Sequence, residues 1–485
     1  MNDNILYKKN TVSGIKWTLL NQIISQTITF VLSLVLMRLI TPKEFGLLGM
    51  ITVFSGFLSV FKDFGFGSSL IQKKNLKNID VNTIYWTTVA IGALLTTTLI
   101  LFAPLIANYY NELKLFDLTL ALSSVFLLQS FSSVQLSLAK KEMKFKLIFK
   151  VNTVSVLIAS ILSLVLAYLD FGVWALVFQQ VIGTLLISIG FYIFSNYKPS
   201  FIWSLNILKS HLKFSLPLVG RGSINYWSRN ADNFFIGKFM GAELLGIYTR
   251  SYAVMMMPVS RISGVLSSVL FPSLSLIQDD LKRINKIFLK VTKTIAFITF
   301  PLMLILLLGA KDFVVSLFGE NWLKMIPVLQ ILSIIGAIQS LGTLNGNIFL
   351  VKNRTDIAFK INMINSSVYI IGFYFSSHYN LIFLTQIYLF SNLVLLILNW
   401  YVVERLMKLP SFSLLNNVKT HIIFFIYLGI FGYYLLLPFM DTLGLNGYIN
   451  LLILFFIVFL KWVLLFYFFN RGELKSQINL LKNII

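Results

Sequence analysis

Fourteen apolar runs, parted only by short polar breaks, constrain this chain more than any other feature of its sequence. They cover approximately residues 14–40, 45–70, 82–108, 115–137, 150–169, 172–195, 211–237, 247–273, 285–309, 323–349, 358–377, 380–405, 419–438 and 446–470. A helix needs about 20 apolar residues to cross a bilayer core. The expected fold is therefore an all-α polytopic membrane protein with about 14 transmembrane helices. Composition agrees: 57% of the 485 residues are hydrophobic and only 12% charged, against roughly a quarter in a soluble domain. No large extramembrane domain interrupts the series, which weighs against enzymes built on one. The first run, Gly14 to Ile40, is too long for a signal-peptide core and lacks a small-residue cleavage site.

The net charge of +22 would suit a nucleic-acid partner if it formed a patch. Its placement says otherwise. With the N-terminus in the cytoplasm, the even loops and both termini hold 28 of the 40 basic residues, and the opposite side holds six. The densest cytoplasmic loop carries Lys140, Lys141, Lys144, Lys146 and Lys150. Such a bias in Lys and Arg sets membrane orientation, so nucleic acid is not expected as a partner. There is no Cys, which excludes disulfides and thiolate metal sites. His211, His378 and His421 are too far apart for ligand spacing, so neither a metal nor a catalytic group is expected.

An internal repeat is visible. Arg38-Leu39-Ile40-Thr41-Pro42-Lys43-Glu44-Phe45-Gly46-Leu47 aligns with Lys238 to Ile247 at an offset of 200. Ser69-Leu70-Ile71-Gln72 then recurs as Ser275 to Gln278, and Leu76-Lys77-Asn78-Ile79 as Leu281 to Ile284. Six helices thus repeat in the same orientation, an architecture that places transporter sites between lobes near mid-bilayer. The expected organisation is an N-lobe at 1–197, a C-lobe at 198–408, and two additional helices with a cytoplasmic tail at 409–485.

Eight charges fall inside helices: Lys62, Asp63, Arg221, Arg229, Asp232, Arg250, Arg261 and Lys461. A buried cation costs about 2.5–3.5 kcal/mol at a helix centre on insertion scales, so these residues usually line water or meet a partner. Seven of the eight lie in the second, seventh and eighth runs. Arg221, Asn225, Arg229 and Asp232 share one helical face by their spacing. Ser55, Ser59 and Lys62 form another stripe, and Gln22, Ser25 or Gln26, Thr29 and Ser33 a third. Four repeat-related helices with polar faces suggest a hydrated cationic cavity for an anion, and Arg suits phosphate oxygens through its bidentate fork. Arg221 and Arg261 lie deepest. Pairing is the alternative for Arg229 with Asp232 and for Lys62 with a carboxylate, while Arg250 also suits an anchor near the outer surface. Asp63 precedes Phe64-Gly65-Phe66-Gly67 and equally suits close packing. Lys461 fits a snorkelling cation. Gln339 fits a helix–helix hydrogen bond, and Trp17, Trp86, Trp203, Trp322 and Trp400 fit interfacial belts.

These features resemble the polysaccharide-transporter branch of the multidrug/oligosaccharidyl-lipid/polysaccharide exporter superfamily, the Wzx-type flippases, and within it the colanic-acid-type exporters. The stretches that carry the resemblance are Arg38-Leu39-Ile40-Thr41-Pro42 with Phe45-Gly46-Leu47, and Asp63-Phe64-Gly65 with Leu70-Ile71-Gln72. Most specific is Arg229-Asn230-Ala231-Asp232-Asn233, followed by Ile236-Gly237, Gly241-Ala242 and Leu245-Gly246-Ile247-Tyr248. The resemblance implies two six-helix lobes forming a V and a multi-pass protein of the bacterial cytoplasmic membrane, surrounded by membrane lipids. It implies flipping of an undecaprenyl-pyrophosphate-linked oligosaccharide to the outer leaflet for O-antigen (lipopolysaccharide), capsule or exopolysaccharide synthesis, with a polysaccharide polymerase as a further partner. It also implies drive by a proton or sodium gradient, as in an antiporter, rather than by a cofactor or nucleotide. No G-x-x-x-x-G-K-[ST] loop is present, in keeping with this.

On this reading Arg221, Arg261 and Lys62, with Arg229 and Arg250, are the expected pyrophosphate-binding residues. Gln22, Gln26 and Asn225 are candidates for the glycan, and Asp232 and Asp63 for ion coupling. Leu32 stands where the repeat would place a counterpart of Asp232, so any ion site is asymmetric or Asp232 is structural. A peptidoglycan-precursor flippase or a cation-coupled multidrug exporter of the same superfamily is the alternative; the exporter would want acidic cavity residues. A membrane glycosyltransferase or polymerase is more distant, because the outer loops are short and offer only Glu112, Asp117, Asp312 and Glu320 in their longest stretches.

Overall fold

A computed structural model describes the backbone of residues 2–484 apart from Asp63. It describes side chains except at 2–13, 15, 19, 23, 213–218, 221, 265, 268, 269, 271, 478 and 480–484. The first helices are α1 (Asn2–Leu39), α2 (Pro42–Ser59), α3 (Phe66–Gln72), α4 (Asn78–Tyr110), α5 (Lys114–Lys141), α6 (Phe145–Tyr168), α7 (Val173–Phe194) and α8 (Leu205–Ser275). Then come α9 (Leu281–Leu308), α10 (Ala310–Leu317), α11 (Met325–Gly342), α12 (Asn345–Val351) and α13 (Thr355–Ser376). The last are α14 (Leu381–Leu406), α15 (Ser413–Phe431), α16 (Leu437–Thr442), α17 (Gly447–Phe469) and α18 (Arg471–Ile484). No strand occurs among the described residues.

Ten helices among the described residues are long and apolar enough to cross a membrane, and they coincide with ten of the expected runs. The other four runs are helical too, but richer in polar side chains: the second (α2 and α3), the seventh and eighth (the two limbs of α8) and the eleventh (α13). Three of these hold nearly all the intramembrane charge. The chain is a multi-pass membrane protein, and side chains such as Leu101 and Phe468, 68% and 73% exposed, belong in lipid.

The run 45–70, expected as one helix, is broken. α2 stops at Ser59, turns and a bend occupy residues 60–62 and 64–65, and α3 restarts at Phe66. Gly65 supplies the break at φ +72°, a left-handed conformation that costs glycine no Cβ clash. Within α8, Pro258 leaves the helix intact and Gly241 interrupts it, at φ +87°, ψ 177°.

The chain forms two compact units, Met1–Gly246 and Ile247–Ile485. In the first, α5 packs against α4 and α7, and α6 lies between α1 and α7. A core of Phe66, Leu70, Val81, Ile84, Tyr85 and Val134 joins α3, α4 and α5. One end of this unit is tied by polar contacts. Lys73 pairs with buried Asp80 at 2.8 Å, Lys141 donates to the Leu70 and Lys73 carbonyls, and His211 meets the Ser69 hydroxyl.

In the second unit α9 is the central helix: 67% of its apolar stretch is buried, against 22% for α17. It packs on α11 and α15, and α14 covers α11. Gln339 donates to the Tyr388 hydroxyl at 2.8 Å and to Asn392 Oδ1 at 3.1 Å, the helix–helix role expected of it. Two of the Trp residues assigned to interfacial belts are core residues instead. Trp322 is 0% and Trp400 5% exposed, and Trp322 packs at 6.3 Å on Phe318 within the α10–α11 connection. Lys461 lies 3.2 Å over the Phe431 ring, so an aromatic face receives its charge within the helix pair.

Candidate functional site

Within the first unit, α2 runs beside the first limb of α8, and its first turn meets the turn that follows Gly241, where small residues let the backbones touch. Gly46 and Gly246, partners in the 200-residue repeat, make reciprocal contacts. A Cβ on Gly46 would lie 1.6 Å from the Ala242 carbonyl oxygen, and one on Gly246 would lie 1.9 Å from that of Pro42. Ala242 and Pro42 are themselves repeat partners. The contact is thus a local two-fold built from one motif used twice, with backbone approach of the small-xxx-small kind.

Farther along the pair, the Tyr226 hydroxyl donates to the Val53 and Thr52 carbonyls at 2.7 and 3.0 Å. Phe57 packs at a tilt against Trp227, with centroids 5.3 Å apart, and Phe54 meets Phe234 at 6.2 Å. This aromatic seam was not anticipated from the sequence, although Phe54, Phe57 and Phe61 already recur at helical spacing. The α1–α2 turn is braced by Glu44, whose carboxylate accepts from Thr41 N at 3.0 Å and from Val173 N at 3.2 Å. It therefore caps α7 from outside that helix, where unpaired N–H groups favour an anion.

The expected site residues are distributed over both units. In the first, Lys62 lies in the bend between α2 and α3 and is half-buried, while Arg229 is exposed on α8. Neither has a carboxylate within ion-pair distance among the described residues. Asp232, one turn beyond Arg229, is 7% exposed and accepts from Asn233 N at 2.8 Å; the two side chains do not pair with each other. Gln22 and Asn225 are exposed and Gln26 half-buried. Beside them Thr29 donates to the Ser25 carbonyl at 2.8 Å and Ser59 to that of Gly56 at 2.6 Å. These hydroxyls keep acceptor capacity for a sugar or water.

In the second unit Arg261 is exposed, with no carboxylate partner among the described residues, and Arg250 is half-buried. Asp63 and the Arg221 side chain lie outside the described residues. Among the described residues no cluster of His, Asp and Glu could hold a metal.

The polysaccharide biosynthesis protein family matches residues 35–327. The chain is 30% identical over 369 residues to the lipopolysaccharide biosynthesis protein WzxC of Escherichia coli K12, covering 75% of this chain and 74% of that one. It is also 30% identical over 356 residues to the teichuronic acid biosynthesis protein TuaB of Bacillus subtilis 168, covering 72% of this chain and 73% of that one. Among solved structures, the lipid II flippase MurJ in an inward closed conformation superposes with a TM-score of 0.70 at 14% identity, over 94% of this chain and 99% of MurJ. An inward-facing MATE multidrug transporter gives 0.61 at 16% identity, over 80% of this chain and 98% of the other. The fold is that of MurJ and MATE transporters. With a family match over more than half its length and relatives at 30% identity across most of theirs, the chain belongs to the polysaccharide biosynthesis protein family.

Proposed function

We propose that this chain is a flippase that moves an undecaprenyl-pyrophosphate-linked oligosaccharide from the cytoplasmic to the outer leaflet for surface polysaccharide synthesis. The observation that carries the reading is chemical. Arg229 and Arg261 on α8 and Lys62 in the bend between α2 and α3 are cations in an otherwise apolar series, and among the described residues none has a carboxylate to neutralise it. Such charges are costly in a membrane and become useful when an anion passes. Relatives named for lipopolysaccharide, teichuronic acid and succinoglycan synthesis support polysaccharide as the cargo class.

In this mechanism Arg261, Arg221 and Lys62 take the pyrophosphate oxygens, assisted by Arg229 and Arg250. The hydroxyl and amide stripe of α1, with Gln22 and Gln26, and Asn225 of α8 solvate the glycan. The polyprenyl tail stays in lipid. The lobes at 1–197 and 198–408 alternate about the head group, with the Gly46–Gly246 contact as the closure on the outer side. A proton or sodium ion at Asp232 biases one facing state. The charge sign favours this cargo over a cationic drug. A lipid II flippase remains the second reading, favoured by the likeness to MurJ over nearly the whole chain, because its cargo presents the same pyrophosphate to the same cations.

The test is a leaflet-resolved assay in proteoliposomes with labelled undecaprenyl-pyrophosphate oligosaccharide. A charge-assisted hydrogen bond is worth about 1.5–3 kcal/mol, so Arg261→Gln and Lys62→Gln should each slow translocation by about 10- to 100-fold. Wild-type rates in the double variant would remove the anion site.

A further inference from the structure

The geometry points to a second, independent binding site on the first unit: a groove between α6 and α7 that holds a two-phosphate phospholipid of the cardiolipin type. It does not rest on the flippase reading. The groove encloses about 910 Å³, with Lys144, Lys146 and Lys150 at its mouth and Val154, Ile158 and Ile189 along its walls. The wall residues are 53%, 46% and 44% exposed, so a lipid reaches them from the bilayer without displacing protein. Gly190 shapes the floor: a Cβ there would lie 2.8 Å from Val151 Cγ1, so only its absence lets α7 lie this close to α6.

Depth and charge select the occupant. From Lys144 to Ile158 the groove runs about 21 Å at ~1.5 Å per residue, which is the headgroup zone plus one leaflet of a ~30 Å hydrocarbon core. Acyl chains of a single leaflet fit that length; a polyprenyl tail long enough to span the bilayer exceeds it. Of the five lysines in this loop, Lys141 is committed to backbone carbonyls of Leu70 and Lys73 and does not line the groove. The three at the mouth face one carboxylate, Glu142, paired with Lys144 at 2.6 Å. Lys146 stands 5.6 Å over the Trp17 ring, and Lys150 has no carboxylate within ion-pair distance among the described residues. Three cations against one anion leave two positive charges, the complement of two phosphodiesters. Basic pockets between transmembrane helices at a cytoplasmic face take such head groups, and the bias of Lys and Arg assigns this end to the cytoplasm.

Native mass spectrometry of the delipidated full-length protein, titrated with cardiolipin, phosphatidylglycerol or phosphatidylethanolamine, tests the site. Each lysine near an anionic head group contributes about fivefold in affinity, so Lys144→Gln/Lys146→Gln/Lys150→Gln should weaken the first cardiolipin adduct by about 100-fold. Val154→Trp, on an exposed wall, should lose the adduct by filling the groove while the lysines remain. Lys282→Gln/Lys286→Gln/Lys290→Gln, equal in charge and elsewhere, should keep it. Three results would overturn the proposal: an adduct indifferent to both groove variants, equal loss in the control variant, or phosphatidylethanolamine bound as tightly as cardiolipin. Displacement of cardiolipin from the wild type by equimolar undecaprenyl pyrophosphate would reassign the groove to the cargo and also overturn it.

Discussion

Adding one methyl group at Gly46 or Gly246 should open the α2–α8 contact. The new Cβ would fall 1.6 Å from the Ala242 oxygen in the first case and 1.9 Å from the Pro42 oxygen in the second, whereas real Cβ contacts essentially never fall below 3.0 Å. The atom in the way is backbone, so no side-chain rotation relieves the clash and the segments must part by more than 1 Å. Overpacking of this kind costs about 1–3 kcal/mol, which shifts the population of the touching state by roughly 5- to 150-fold. The chain has no Cys, so a single reporter can be introduced cleanly. Met50, 0% exposed on α2 and facing Gly237, becomes Met50→Cys and is labelled with a membrane-impermeant maleimide. Labelling should accelerate by at least fivefold in Gly46→Ala and in Gly246→Ala. The reciprocity makes a sharper demand. Once one methyl has parted the segments, the second has little left to displace, so the double variant should be clearly less than additive. Full additivity, or unchanged labelling in both single variants, would refute the two-fold contact.

Tyr226→Phe keeps the ring packing against Phe57 but removes both donations to α2 carbonyls; a loss of about 1–2 kcal/mol should appear as a lower thermal midpoint in detergent. Glu44→Ala strips the cap from α7 and the brace from Thr41 and should cost about 1 kcal/mol, with Glu44→Asp recovering part of it in the same assay. Glu473 accepts from Asn470 at 2.6 Å and Lys293 at 3.3 Å, and Thr294 donates to Gln477 at 2.6 Å. Glu473→Ala/Gln477→Ala should therefore release α18 from α9, and limited trypsin cleavage at Lys475 should quicken more than tenfold; an unchanged rate would mean that apolar contacts hold the helix.

The membrane-spanning helices were legible because lipid demands one property, sustained apolarity, and residues 82–108 or 446–470 display it without ambiguity. Three of the four runs that fold without meeting that standard were legible for the opposite reason, since Lys62, Arg229 and Arg261 interrupt apolar stretches. The break before α3 was harder to see. Lys62 and Asp63 interrupt the run without announcing a bend, because charged residues also occur inside helices, and the left-handed torsions of Phe64 and Gly65 are set by the packed structure. Trp322 misled because tryptophan is common at interfaces, while its burial within the α10–α11 connection depends on how that segment folds back on Phe318. The repeat aligned Gly46 with Gly246, yet that alignment does not disclose that each glycine lies against the other's turn. Reciprocity is a property of the packed helices, not of either segment alone. For the cations, the sequence located Lys62, Arg229 and Arg261, and their lack of carboxylate partners among the described residues emerged only from the placement of the acids around them.

The two turns that the repeat makes equivalent are not mechanically alike. At the first, Pro42 fixes its own torsion and Glu44 lashes the bend to α7. At the second, the whole change of direction passes through Gly241, a residue with neither ring nor side chain to resist rotation. One arm of the duplicated motif is thus an anvil and the other a flexure, and any rocking that separates Gly46 from Gly246 will be taken up at Gly241.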